Sequence, residues 1–296
     1  MSSLELLKGK GLIHHKITKY LNQRKHFSNV ALIDGDILVY RCGFASEKNY
    51  RDVYDEQGNH ITTFRYKRDA DNFLKEHEGF YVKERQVVDS LQNTLHTVKV
   101  TINTILERTR SKFYNIYLSG RTNFRDEIAE TAVYKGTRSG VKPQRHDQIR
   151  NYLLRAWRAT VVEGIEADDM MGIEANSCSD NVIIATLDKD LDVVPGWHYN
   201  WANDDLYWVS DIEALRNFWK QMITGDTIDN IIGLYRKGPA YARKLLDNVD
   251  DPEKMRELVW QEYQDSLGDD AERRFNENMS LLWILQSEEE RHGKDV

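Results

Sequence analysis

The 296-residue chain has only two cysteines and four prolines. Cys42 and Cys178 lie far apart and neither stands in a metal-type spacing, so a disulfide framework is excluded and reduced thiols are expected. So little proline argues against a Pro-rich linker, and no repeat or low-complexity tract is visible. Apolar runs are short as well: none approaches the roughly 20 residues of a membrane span. The opening Met1 to Lys10 lacks the apolar core of a secretory signal. The expectation is a cytoplasmic, monomeric protein without a membrane association. Its 40% hydrophobic and 30% charged residues are those of an ordinary globular domain.

Positive charge is scarce overall, since the formal net charge is −7. That deficit is local. Residues 251–296 hold thirteen acids against six Lys and Arg, which leaves the first 250 neutral. Residues 121–160 hold nine Lys and Arg against four acids, and the first 30 hold six against Glu5 alone. Basic stretches in a neutral body are compatible with tracking a phosphate backbone.

The periodicities predict an α/β domain with a mainly parallel sheet and helices after it. A basic leader covers 1–28, with a short helix from Ser2 to Leu7. Strands are expected at 30–33, 115–118, 160–162 and 181–186, with hairpins turning at Gly58-Asn59 and within 201–208. Helices are expected at 68–76, 84–110, 146–158, 211–223, 238–247, 251–264 and 270–286. The reading divides the chain into the leader, a core at 29–210 and a helical region at 211–296. Within the core, 47–110 is an insertion and 121–160 a basic clamp or arch.

Four acidic clusters fall at predicted strand ends or helix starts: Asp34-Gly35-Asp36, Glu166-Ala167-Asp168-Asp169, Asp188-Lys189-Asp190 and Asp226-Thr227-Ile228-Asp229. In a parallel sheet, ligands gather beyond the carboxyl ends of the strands. Crowded carboxylates repel unless cations share the site, and hard divalent ions prefer oxygen donors. Such a set suits two-metal phosphodiester chemistry.

Tyr134-Lys135-Gly136-Thr137-Arg138 places a Lys and an Arg three residues apart, a spacing that lets both meet one phosphate, and Tyr134 can stack on a base. Residues 229–240 predict a hairpin bounded by Gly233 and Gly238, with Arg236 and Lys237 at its tip and a helix opened by Pro239. Glycines and helix N-terminal amides suit close approach to a duplex backbone.

In order, VALIDGD (30–36), NFR (123–125), YKGTR (134–138), EADD (166–169), TLDKD (186–190) and GDTIDNIIGLYRKGPAYARKLL (225–246) resemble motifs of the flap endonuclease and 5′→3′ exonuclease family, especially its phage-encoded branch. The resemblance spans residues 30–246. It implies a three-layer PIN-like α/β nuclease core with a helix-three-turn-helix module at 225–246. It implies two Mg²⁺ ions, with Mn²⁺ able to substitute, on Asp34, Glu166, Asp168, Asp169, Asp188, Asp190, Asp226 and Asp229. Lys135 and Arg138 would steer phosphate and Tyr134 would stack. Arg125, Gly233, Arg236, Lys237, Gly238, Arg243 and Lys244 would contact DNA, and the hairpin near Gly233 would hold K⁺. The implied substrates are duplex or flap DNA and RNA–DNA hybrids, cut at or near 5′ ends to leave 5′-phosphates. Replication, primer removal or DNA degradation would be the setting, with replication proteins as partners. Many relatives carry a further metal Asp after the second strand, where this chain reads Leu118-Ser119-Gly120-Arg121; either Asp36 offers a replacement or the metal keeps an extra water. A PIN-like single-strand ribonuclease and a non-catalytic DNA-structure-binding protein are the alternatives.

Overall fold

The apolar runs become the central strands of a sheet because they can be buried on both faces. The computed structural model describes residues 29–177 and 181–292. The expected leader helix and Cys178 lie outside the described residues. In chain order come β1 (Asn29–Asp34), α1 (Gly35–Ala45), β2 (Glu47–Asp55), β3 (His60–Phe64), α2 (Lys67–Glu76), β4 (Phe80–Val88) and α3 (Leu91–Thr109). Next are β5 (Ser111–Asn123), α4 (Arg125–Ile128), α5 (His146–Ala156), β6 (Thr160–Gly164), α6 (Ala167–Ser177) and β7 (Val182–Ala185). The hairpin β8 (Gly196–Asn200) and β9 (Asp205–Val209) follows, then α7 (Asp211–Thr224), β10 (Gly225–Asp226) and β11 (Ile231–Ile232). The helices α8 (Pro239–Leu246), α9 (Pro252–Leu267), α10 (Ala271–Leu282) and α11 (Glu288–His292) complete the described chain.

The described chain divides into two compact units, one of residues 29–36, 103–140, 158–177 and 181–292, the other of 37–102 and 141–157. This differs from the expected division at 210. The helices after β9 share one apolar cluster with the sheet, in which Leu32, Ile184, Phe218, Met222, Tyr263 and Leu282 all take part.

The first unit holds a six-stranded sheet in the order β6-β5-β1-β7-β8-β9. All neighbours are parallel except β8 and β9. The four residues of β7 are buried throughout, as expected of a strand covered on both faces. The chain leaves β1 for β5 on one side and returns to it through β7 on the other. The carboxyl end of β1 is therefore a topological switch point, where such sheets place their ligands. Asp34 closes that strand. Helix α7 starts at a full capping box, Ser210 accepting from the Glu213 N–H while the Glu213 side chain accepts from the Ser210 N–H. Pro252 opens α9 behind Asp251, whose side chain accepts from the Glu253 and Lys254 N–H groups.

The second unit contains a three-stranded antiparallel sheet, β3-β2-β4. The turn at Gly58-Asn59 forms as expected, with Gly58 at φ 83°. The long helix expected from 84 starts only at Leu91, because residues 80–88 pair along the whole of β2 as β4. Likewise the helix expected to reach 286 stops at Leu282. Cys42 is a buried free thiol.

Candidate active site

Every acidic cluster read from the sequence belongs to the first unit. Asp34 is 2% exposed, and its carboxylate accepts from Thr186 Oγ1 at 2.8 Å. The same Thr186 hydroxyl oxygen accepts the Asp188 N–H at 3.0 Å, and Asp188 in turn accepts the Asp190 N–H at 3.0 Å. This chain of bonds locks the ends of β1 and β7 in register. Gln221 on α7 donates to Asp190 at 2.6 Å. Asp226 accepts the Ile228 N–H at 2.6 Å and the Asp229 N–H at 3.2 Å, fixing the turn between β10 and β11.

The electrostatics shows which acids face one another. Burial raises the Asp168 carboxyl well above its ordinary range, and Asp34, Asp188, Glu166 and Asp169 push it further. Burial also raises Asp190, to about 8, with Asp188 and Asp226 adding to the effect. Asp188 is raised by burial and by Asp229 and Asp226. Acids from β1, α6, the segment after β7 and the β10–β11 turn thus converge electrostatically. Among the described residues, however, no three His, Cys, Asp or Glu side chains are drawn together tightly enough to hold an ion as they stand.

Part of the reason lies in the YKGTR segment. Tyr134 is 7% exposed, and its hydroxyl donates to Glu166 at 3.0 Å or to Asp229 at 2.8 Å. Burial and these carboxylates raise its phenol pKa, so it remains a donor. The expected stacking of Tyr134 on a base is corrected: its ring lies in the apolar cluster. Lys135 pairs with Glu166 and Arg138 with Asp229, and Lys135 also lies 3.7 Å from Asp229. Lys135 adopts φ 55°, a left-handed conformation held by its N–H donating to the Asp229 carbonyl at 2.8 Å. Asn230, at φ 60°, donates from its side chain to the Val133 carbonyl at 2.9 Å. The basic segment is thereby bound to the β10–β11 turn by backbone as well as charge.

Asp169 is placed differently from the ligand expected. It is fully buried, and each of its oxygens accepts from one guanidinium nitrogen of Arg125, at 2.6 and 2.8 Å. The Glu166 and Leu285 N–H groups complete the set at 3.0 and 3.1 Å. Arg125, 2% exposed, further donates to the carbonyls of Leu281 and Trp283. A role for Arg125 in contacting DNA is therefore corrected. The pair props up the floor of the site and pins the chain beyond α10.

The position of the missing acid also has a physical account. Strand β5 runs on to Asn123, and a Cβ on Gly120 would meet the Glu163 carboxylate at 2.3 Å and the Val162 carbonyl oxygen at 2.4 Å. No side chain fits there without movement. The Ser119 hydroxyl accepts the Ala167 N–H at 3.0 Å, and Asp36 accepts the Ser119 N–H at 2.9 Å. Thr186, Ser119, Gln221 and Asn230 were not singled out from the sequence. Thr186, inside TLDKD, and Asn230, inside the motif at 225–246, carried a local signal.

The hairpin after Asp229 is a two-residue antiparallel pair between α7 and α8 rather than a continuation of a helix. Gly225, at φ 65°, and Gly233 lie backbone to backbone; a Cβ on Gly233 would meet Thr224 main-chain carbon at 2.2 Å. Tyr235 is 80% exposed with Arg236 over its ring, and Gly238, Arg243 and Lys244 are exposed on α8 and its approach. Lys237 is instead turned onto Glu262 and the Ser266 hydroxyl. The Ile232 carbonyl, beside the expected K⁺ position, accepts from Arg274 and Asn278.

Neither a protein-family model nor a curated protein sequence matches the chain. Solved structures do. The 5′-exonuclease of T5 with bound zinc aligns with a TM-score of 0.51 at 17% identity, over 86% of this chain and 89% of the exonuclease. This chain has the 5′-exonuclease fold. A bacteriophage T5 flap endonuclease complex with DNA and metal ions gives 0.47 at 15% identity, over 86% and 99%. The catalytic core of Rad2 with a DNA substrate gives 0.43 at 12%, over 83% and 68%. The fold class expected from the periodicities, α/β with a mainly parallel sheet, is the one observed. Asp34, at the end of β1, stands at the switch point of the sheet. No described helix is long and apolar enough to cross a membrane.

Proposed function

We propose that the protein is a divalent-cation-dependent 5′-nuclease acting on duplex or flap DNA, and on RNA–DNA hybrids. One feature supports this reading: Asp34 closes β1 at the switch point, and burial together with repulsion among acids of four separate elements raises Asp168, Asp188 and Asp190. Such a set is relieved by protons or by cations, and its donors are all hard oxygens. The donors fit Mg²⁺ or Mn²⁺, with Asp34, Glu166, Asp168, Asp188, Asp190, Asp226 and Asp229 as candidates to hold two ions. Asp169 is left to its pair with Arg125. When bound, such ions supply Lewis acidity and charge compensation for phosphodiester hydrolysis.

The chain's own residues account for the rest. Lys135 and Arg138 rest on Glu166 and Asp229, so an arriving phosphate competes with those carboxylates for them. Once on the phosphate, they would stabilise the charge that develops as water adds to phosphorus and the P–O3′ bond breaks, leaving a 5′-phosphate. The Tyr134 hydroxyl orients Glu166 or Asp229, donating to one of them at a time. Tyr235, Arg236, Arg243 and Lys244 would hold the duplex backbone, which supports a double-stranded rather than a single-stranded substrate.

The test is a labelled 5′-flap duplex incubated with and without Mg²⁺, beside nicked duplex and single-stranded RNA. Mg²⁺-dependent release of 5′-phosphorylated products is expected, and Asp168→Asn should abolish it while DNA is still bound. Normal turnover by Asp168→Asn would remove the metal assignment. Cleavage of single-stranded RNA alone would favour a ribonuclease, and binding without cleavage in any divalent metal a non-catalytic DNA-binding protein.

A further inference from the structure

The three-stranded sheet of the second unit has two unlike faces. On one, Val53 and Ala70 are buried, and Phe64 and Phe80 pack against Phe73 of α2. On the other, Tyr50, Asp52 and Tyr54 of β2 stand opposite Arg85, Lys83 and Tyr81 of β4. The Arg85 guanidinium lies 5.2 Å from the Tyr50 ring centre. The Lys83 ammonium lies 4.9 Å from that of Tyr54 and 5.6 Å from that of Tyr81. Tyr54 and Tyr81 stack at 5.7 Å and 20°. The acid between them is already neutralised: Asp52 accepts from Arg85 Nε at 2.7 Å and from Thr63 Oγ1 at 2.6 Å. This face is open. Tyr81 is 40% exposed, the Arg85 side chain 52%, and Lys83 is exposed.

We propose that this face binds single-stranded DNA, its tyrosine rings stacking on unpaired bases and Lys83 meeting the phosphates while Arg85 stays on Asp52. The physical case is the interleaving. A face meant for burial would resemble its opposite, with phenylalanine and aliphatic side chains under a helix. Here rings alternate with cations, which is the pattern that suits a polyanion with exposed aromatic faces. Tyr50 and Tyr54 are about 13 Å apart along β2 at roughly 3.3 Å per residue, a span that accommodates about two or three bases on a sheet. Paired bases hide their faces within the helix, so a duplex can meet only the cations. The inference rests on the proposed function for the choice of nucleic acid as partner, and it adds a second contact surface outside the acidic site.

The experiment uses the full chain in EDTA, where no cutting is expected, with a fluorescein-labelled oligothymidylate and a blunt duplex followed by anisotropy. Tyr81→Ala combined with Lys83→Ala should weaken oligothymidylate binding about tenfold or more, with duplex binding changed less than about twofold. Tyr81→Trp, which keeps a ring, should bind as the parent does. Photo-crosslinking of a 4-thiothymidine oligonucleotide to the unsubstituted protein should mark peptides of β2 and β4, and this does not depend on any variant folding. Unchanged oligothymidylate binding in the double variant, equal losses for strand and duplex, or crosslinks confined to the first unit would overturn the proposal. So would a β2–β4 face that captures only a polypeptide. Hydrolysis by the parent protein in Mg²⁺ is read separately. A platform without hydrolysis sinks the nuclease reading alone, and hydrolysis without a platform sinks this one alone.

Discussion

Asp168 and Asp169 are consecutive residues in the first turn of α6, yet the regions they face differ in how negative charge is treated. Beneath the site, Asp169 has a bidentate guanidinium and two backbone N–H groups. Toward the strand ends, Asp168 faces Asp34, Asp188 and Glu166, and its charge is opposed by burial. A carboxylate satisfied on every oxygen serves the fold. One crowded by its own kind is a standing cost to the fold, and its usefulness must lie in what it can bind. The comparison predicts that the same Asp→Asn change has opposite consequences one residue apart.

The largest effect is expected at the floor. Asp169→Asn leaves the Arg125 guanidinium buried without its counter-charge, and breaking such a pair costs about 3–5 kcal/mol. Urea unfolding should show this, with hydrolysis lost only as the folded fraction is lost. A change below about 1 kcal/mol would mean that the pair is not the prop it resembles.

Second in size is the cation lining. Lys135→Ala and Arg138→Ala should each lower kcat by about 10²-fold, with smaller changes in DNA affinity measured in EDTA. Equal losses in kcat and binding would make these residues simple docking charges. Because they also compensate Glu166 and Asp229, both variants should lose stability at neutral pH and recover part of it when Mg²⁺ is added.

The pH dependence separates the two regions next. Asp190 is held up at about 8 in the folded protein, above its usual 3.8. The folded state therefore binds more protons than the unfolded one between these values, and stability falls as pH rises through that window. In EDTA, melting should shift down by a few degrees from about pH 5.5 to 8.5. Mg²⁺ should raise the melting temperature more at the upper pH, and Asp190→Asn should flatten the profile. A melting temperature that climbs steadily over this range would show that these acids are not crowded in solution.

Much of this site is legible in the sequence because its determinants are local. VALID and VIIA announce buried strands, and an acid at a strand end needs no distant information to be placed at the switch point. What the sequence hides depends on partners far away. Arg125 reads as one more cation in a basic stretch, and it is Asp169, 44 residues on, with the carbonyls of Leu281 and Trp283, more than 150 residues on, that make it a core residue. Tyr134 similarly exchanges an expected base for Glu166 and Asp229. The misread strand at 80–88 has the same origin. Val87, Leu91, Leu95 and Val98 continue a helical spacing without a break, while the pairing that decides the matter is with β2, in non-local register. Local pattern and tertiary pairing compete there, and pairing wins.

The smallest effect is expected at Asp36, the acid that the sequence offers in place of the one absent beside Gly120. Its Oδ2 accepts the Ser119 N–H, a bond that an asparagine oxygen can keep. If holding β5 is its main task, Asp36→Asn should lower kcat less than about tenfold, corresponding to about 1.4 kcal/mol, and should leave the Mg²⁺ dependence unmoved. Asp36→Ala should lose more, because the N–H is then left without its acceptor. The reverse order of severity cannot arise from a backbone bond. Asp36→Asn as damaging as Asp168→Asn, together with a raised Mg²⁺ requirement, would move Asp36 from the supports of the site into its ligand set, and the boundary between the two regions would have to be redrawn through the first turn of α1.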